Sequence, residues 1–188
     1  RIPVGRTGAT KLQELVLGEG TAQHALIAGR TGSGKSTLFH VIVTSCAVRF
    51  SPDEVEMYLI DFKKGVEFKA YARHALPHAR VIAIETDRAF GLSVLERIDR
   101  ELTERGELLR ASDTQDLKGY REKTGRPMPR VLLVVDEFQE LFTEDDPIAQ
   151  KAGLFLDRIV RPYQTELEGG AVAVELDADI GRHLPSYF

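Results

Sequence analysis

The sequence has one cysteine, Cys46, among 188 residues. No disulfide can close within the chain, and thiolates alone cannot assemble a zinc cluster. Cys46 lies in an apolar run and reads as a small core residue, which suits a reducing cytoplasm. Long apolar runs are also missing. No stretch nears the roughly 20 residues that span a bilayer, and no signal peptide opens the chain. The first residue is Arg1, not Met. That points to a domain of a longer protein, and a tether to the inner membrane elsewhere in that protein is compatible with it. A positive excess is absent as well: the net charge is −4. That argues against coating of DNA by bulk electrostatics, so contact with phosphates must rest on local loops. His24, His74 and His78 show no metal-ligand spacing with another ligand type and read as structural residues.

What is present is ordinary for a globular domain: 43% hydrophobic and 29% charged residues, in a chain long enough for one domain with a sizeable core. Apolar runs alternate with helical patterns. "LQELVL" (12–17), "QHALIA" (23–28), "VEMYLID" (55–61), "PHARVIAIE" (77–85) and "VLLVVDEF" (131–138) read as strands. The run from Ser36 to about Phe50 reads as a helix burying Leu38, Val41, Ile42, Cys46 and Val48. "VEFKAYAR" (66–73) reads as a short helix or turn. Residues 88–110 form the longest helical pattern, with Leu92, Leu95, Ile98, Leu102 and Leu109 on one face and a solvated charged face from Glu96 to Arg110. "GRPMPR" (125–130) reads as a loop and 148–161 as a further helix. Continuous apolar strands separated by helices predict an α/β fold, with a mainly parallel sheet covered on both faces.

"GRTGSGKST" (29–37) follows a strand and opens a helix. Gly29, Gly34, Lys35 and Ser36 match the spacing of a phosphate-binding loop. Glycines let the backbone curl so that successive N–H groups face an anion, and the helix adds its positive end. These residues alone would recur by accident in roughly one chain in a hundred of this length. The loop Gly29, Arg30, Thr31, Gly32, Ser33, Gly34, Lys35, Ser36 and Thr37 is therefore the expected cradle for ATP. Lys35 supplies a charge for the β- and γ-phosphates, the Ser36 hydroxyl a ligand for Mg²⁺, and Thr37 a further hydrogen bond. An earlier "GRTG" (5–8) lacks the lysine–hydroxyl pair and reads as a turn.

The second half of such a site is an acid ending a buried strand. Asp136 would hold Mg²⁺, and Glu137 would polarise the attacking water from a strand neighbouring the loop's own. No Asn-Lys-x-Asp guanine-reading stretch is present. The Leu-Ser-Gly-Gly-Gln signature of transporter ATPases is absent too; its nearest look-alike, "LEGG" (167–170), follows the strand acid instead of preceding it. Small-molecule kinases rarely pair a glutamate with the strand aspartate. An Asp-Glu pair suits hydrolysis by water, coupled to movement.

The segments "HALIAGRTGSGKST", "SPDEVEMYLIDFKKGVEF", "LPHA", "ELTERGELL", "YREKTGRPMPRVLLVVDEFQEL" and "LDRIVR" resemble, in order and spacing, the motor domain of the FtsK/SpoIIIE family. The resemblance runs over about residues 2–161. It implies a RecA-like P-loop fold, a hexameric ring, nucleotide between adjacent subunits, a neighbour's arginine completing each site, and double-stranded DNA as the translocated partner. Close branches include ATPases of type VII secretion, which move protein, and conjugation coupling proteins. Asp61 ends its strand at the edge where nucleotides bind in open parallel sheets. Lys63 and Lys64 follow in a block that recurs beside the family's nucleotide site, and the block does not separate DNA from protein substrates.

After Arg161 the family's arginine-bearing stretch and sensor glutamine are not recognisable, so neither Arg158 nor Arg161 is assigned the interface role. The chain divides into an ATPase core over 1–161 and an unmatched segment over 162–188. In that segment "AVAVELDA" (171–178) has strand character, and "GRHLPSYF" (181–188) reads as a loop. An omitted segment and a divergent ending both explain the change, and the chain as written is expected to bind ATP better than it hydrolyses it. A DNA translocase is the leading expectation. A protein-secreting motor of the same fold and a low-turnover scaffold or defence subunit are the alternatives.

Overall fold

The computed structural model describes residues 1–18, 22–62, 67–84, 87–160 and 170–177, with backbone alone for 159, 160 and 170–177. Lys63, Lys64, Arg161 and the expected closing loop lie outside the described residues.

The elements follow in chain order. A hairpin of β1 (Ile2–Thr7) and β2 (Lys11–Leu15) opens the chain. Then come β3 (His24–Gly29), α1 (Lys35–Arg49), β4 (Val55–Asp61), α2 (Lys69–Arg73), β5 (Ala79–Ala83) and α3 (Arg88–Ala111). The chain continues through α4 (Leu117–Thr124), β6 (Arg130–Asp136), a 3-10 helix Phe138–Phe142, α5 (Pro147–Val160) and β7 (Gly170–Asp177). Five strands form one parallel sheet in the order β3-β7-β6-β4-β5.

The two-residue period of a strand sends alternate side chains to opposite faces, and β4 and β6 each feed two cores that way. Tyr58, Ile60, Leu133 and Val135 pack with Leu92, Leu95 and Ile98 of α3 and Ala152 and Leu156 of α5. Met57, Leu59, Leu132 and Val134 pack with Phe39, Ile42, Val43 and Cys46 of α1 and Ile2 of the hairpin. Every residue of β4 is buried. The continuous apolar runs thus mark strands sandwiched between helices, as expected.

Several local expectations need correction. The buried face of α1 is Phe39, Ile42, Val43 and Cys46, while Val48 is 89% exposed. At 3.6 residues per turn, a residue two past Cys46 points away from the face that Cys46 shares. β3 is not fully buried: it forms one edge of the sheet, and Leu26 is 43% exposed. The charged face of α3 is not wholly solvated either. Arg105 is buried, its Nη2 donating to Glu56 Oε1 at 2.5 Å and to Glu101 Oε1 at 2.6 Å. Helix α4 was hidden inside the stretch before "GRPMPR", although Asp116 caps it through Gly119 N at 2.6 Å and Gly125 ends it in the left-handed region (φ 67°). Both are ordinary helix-boundary signals.

Candidate functional site

The loop between β3 and α1 is shaped by its glycines. Gly34 caps α1 at φ 91°, ψ 14°, a conformation open to glycine at little cost, and no side chain caps the helix. The leading N–H groups of α1 therefore face outward, where an anion can take them. A Cβ on Gly29 would stand 2.6 Å from Ser33 Oγ and 3.5 Å from Lys35 Cδ, so a side chain there would displace the Ser33 hydroxyl from its place in the loop. Ser33 N donates to Arg30 O at 3.0 Å and tightens the curl. Lys35 Nζ donates to Gly29 O at 2.8 Å and lies over the loop. Arg30, Thr31, Gly32, Ser33 and Thr37 are exposed, and Ser36 is half-buried in the first turn of α1.

Across the sheet, β4 and β6 run parallel and in register, with Asp61 beside Asp136 at their C-terminal ends. Both aspartates are buried, at 0% and 4% exposure. The Glu67 N–H donates to Asp61 Oδ2 at 3.4 Å. Glu67 Oε2 also meets His40 Nε2 at 3.2 Å, and His40 Nδ1 meets the Tyr71 hydroxyl at 2.7 Å. His40 stands one helical turn beyond Ser36, so this chain of polar contacts links α1 to the segment that follows Asp61. Sequence reading passed over His40 and Glu67, because neither carries a motif and only the fold brings them together.

The expected neighbourhood of loop and acids is corrected in one respect. β6 does not lie next to β3, because β7 pairs with both, through Leu26↔Val174 and Val135↔Val174. With strands 4.7–4.9 Å apart, the loop's strand and the acids' strand are separated by about 10 Å. Parallel strands end at a common edge, so the loop and the aspartates still share one rim.

The strand ends at Asp136, and Glu137 turns the chain with φ 54°, ψ 47°, a left-handed conformation rare for a non-glycine residue. The 3-10 helix that follows is anchored by Phe138 and Leu141, both buried. Arg88 of α3 fixes its far end, with Nη2 donating to Leu141 O at 2.9 Å and Nη1 to Asp146 Oδ2 at 2.9 Å. Gln139 Nε2 donates to Glu137 Oε2.

The donor set suits Mg²⁺. It consists of hard oxygens only, from Asp136 and Ser36 with Asp61 alongside. No group of three or more His, Cys, Asp or Glu able to hold a metal exists among the described residues. Magnesium keeps its waters and takes one or two carboxylates plus substrate phosphates, so a sparse protein shell fits it. His78 binds the Phe50 carbonyl through Nε2 at 2.8 Å, a structural contact. Arg158 Nη1 meets Asp99 Oδ2 of α3 at 3.1 Å, on the helix layer. No helix among the described residues is long and apolar enough to cross a membrane.

Comparison with known proteins yields a consistent set of relatives. The family model described as FtsK/SpoIIIE family matches residues 5–175, so the match continues past Arg161 into β7. The ESX secretion system protein EccC of Geobacillus thermodenitrificans is 34% identical over 152 residues, 77% of this chain and 10% of that protein. The DNA translocase FtsK of Staphylococcus aureus is 34% identical over 128 residues, 63% of this chain and 16% of that protein. The chain thus spans a small fraction of these curated relatives. Among solved structures, the cytoplasmic domain of the Thermomonospora curvata type VII secretion ATPase EccC superposes with a TM-score of 0.70 at 27% identity, covering 92% of this chain and 21% of that one. The pCW3 conjugation coupling protein TcpA, in a monomer form with ATPγS, gives 0.70 at 25% identity, covering 93% and 47%. A glycine-built phosphate cradle and a buried strand acid on one rim of a parallel sheet, matched over nearly the whole chain, place it in a single group: the chain belongs to the FtsK/SpoIIIE family and carries its P-loop ATPase domain.

Proposed function

We propose that this chain is the ATP-hydrolysing motor unit of a ring-forming translocase, and that its polymer is double-stranded DNA. The observation that carries the reading is the shared rim. The cradle of Gly29 to Thr37 lies on one side, Asp61 and Asp136 lie in register on the other, and Glu137 follows directly.

In this reading the backbone amides of the loop and the first turn of α1 bind the phosphates. Lys35 moves from the loop's carbonyls onto the β- and γ-phosphates. Ser36 and Asp136 would hold Mg²⁺, which when bound would neutralise charge on the phosphate oxygens. Glu137 accepts the proton of the attacking water as that oxygen bonds to the γ-phosphorus and the bond to the β–γ bridging oxygen breaks. An arginine from a neighbouring subunit stabilises the transferred charge, which makes a hexameric ring the working unit. Such a motor would act on the cytoplasmic side.

The DNA translocase FtsK and the conjugation coupling protein support DNA as the cargo. A second reading, a motor that drives protein secretion, is favoured by the EccC relative, which matches a larger share of the chain. The deciding measurement is the ATPase rate of the protein at its natural length, alone, with double-stranded DNA, and with a secretion-signal peptide. Stimulation by DNA supports the first reading and stimulation by peptide the second. Response to neither polymer would favour a low-turnover scaffold and sink both. Lys35→Ala should lose nucleotide binding, and Glu137→Gln should bind ATP while its turnover falls to a small residual rate.

A further inference from the structure

Gln139 has no part in the reading above, yet its placement is costly. It is 4% exposed, on the 3-10 helix directly after the strand acids. Its amide oxygen, Oε1, is buried with no hydrogen-bond partner. A leucine would fill nearly the same space without leaving a polar atom unsatisfied, and a buried unsatisfied acceptor destabilises a fold. Packing therefore does not account for a glutamine here. Its other end does: Nε2 donates to Glu137 Oε2. A carboxylate only accepts, so the amide must present its nitrogen to Glu137 and turn its oxygen inward. The orphaned oxygen is the consequence of that orientation.

The surroundings make the contact directional. Glu137 hangs on a left-handed backbone turn. Gln139 is held two residues on by buried Phe138 and Leu141, and Arg88 grips the Leu141 carbonyl. The amide is thus a fixed post beside a carboxylate at the end of a strand. We infer that Gln139 is a positioning residue: it fixes the plane of the Glu137 carboxylate relative to the phosphate cradle and so sets the rate of hydrolysis. The inference rests on the ATPase reading and assigns Gln139 no contact with nucleotide.

The test is a double-mutant cycle on steady-state ATP hydrolysis by the protein at its natural length. It uses Gln139→Leu, Glu137→Gln and the pair together. A misaligned catalytic group costs roughly ten- to a hundredfold, and Gln139→Leu should lower kcat by that order with the KM for ATP within about twofold of wild type. Its thermal midpoint should equal or exceed the wild-type value. In the Glu137→Gln background the same substitution should cost nothing further, because the group it orients is already gone. Gln139→Met, unbranched and of similar length, repeats the comparison should the leucine disturb the fold. Unchanged kcat in both variants overturns the inference. So does an equal fold-loss with and without the Glu137 carboxylate, which is the signature of a general structural role. A wild-type protein that binds ATP and never turns it over overturns the ATPase reading, and this inference with it.

Discussion

Glu137 occupies a backbone conformation that sterics penalise by roughly 1–2 kcal/mol for residues with a Cβ. Strain of this kind persists where surrounding structure enforces it, and it gathers at functional sites. Removing the side chain in two ways separates strain from chemistry. Glu137→Gly and Glu137→Ala should both lose turnover, while the glycine variant should be the more stable of the two by about 1 kcal/mol in urea denaturation. Equal stabilities would mean that the turn is not strained. Cys46 illustrates a different effect of environment on one residue. Burial pushes its thiol up to about 11, above the roughly 8.5 of an exposed thiol. The folded state therefore retains a proton that the unfolded chain gives up. That stabilisation is complete below the unfolded value and is lost as pH rises toward the folded one. The stability of the wild type relative to Cys46→Ala should be constant below about pH 8.5 and shrink from there to about pH 11. Denaturant titrations of both proteins across that range check it.

Helix α3 meets the sheet through charge as well as apolar surface. Leu92, Leu95 and Ile98 supply the apolar contact, and Arg105 reaches Glu56 of β4, Glu101 of its own helix and the Pro129 carbonyl before β6. Arg80 of β5 adds a contact to Glu56 Oε2 at 2.7 Å. Burial raises the Glu56 carboxyl above its ordinary range, so its charge depends on these cations. Breaking a buried pair from one side leaves the other charge stranded, at a cost of about 3–5 kcal/mol, whereas replacing both sides is often neutral. Arg105→Leu should therefore destabilise by up to about 3 kcal/mol, since Arg80 still holds one Glu56 oxygen, and adding Glu56→Met should recover most of the loss. A double variant no more stable than Arg105→Leu would show that the arginine matters through some other contact. The 3.6-residue period made α3 legible, but it treated all charged positions on the outer face alike. Arg105 differs only because the lower ends of β4 and β6 lie beneath it.

At the scale of the molecule the decisive strand is β7. It pairs with β3 on one side and β6 on the other, so it joins the phosphate loop to the strand that carries the acids. Among the described residues β3 has no other neighbour in the sheet. A chain ending before Gly170 would leave β3 and β6 without a partner along their facing edges, with backbone N–H and C=O groups unpaired. Deleting residues 170–188 should abolish cooperative thermal unfolding, followed by circular dichroism. A cooperative melt in the truncated chain would mean that the cradle folds independently of the acids. The same strand sets the spacing of about 10 Å between the two halves of the site.

The residues themselves determined the local pieces. Gly29, Gly34, Lys35 and Ser36 at their spacing between a strand and a helix identify a phosphate loop, because curling a backbone around an anion demands glycine and a helix start. "VLLVVDE" and "VEMYLID" identify buried strands with acids at their ends, because a strand covered on both faces must be apolar throughout. The order of those strands was a different matter. Buried parallel strands are built from the same few apolar side chains, so nothing in their composition tells β7 to enter between β3 and β6, or Asp61 to stand in register with Asp136. The contacts of Gln139 with Glu137 and of Arg105 with Glu56 were equally out of reach. One depends on the turn taken after β6 and the other on a helix crossing distant strands, and neither the spacing of motifs nor the period of apolar residues encodes either.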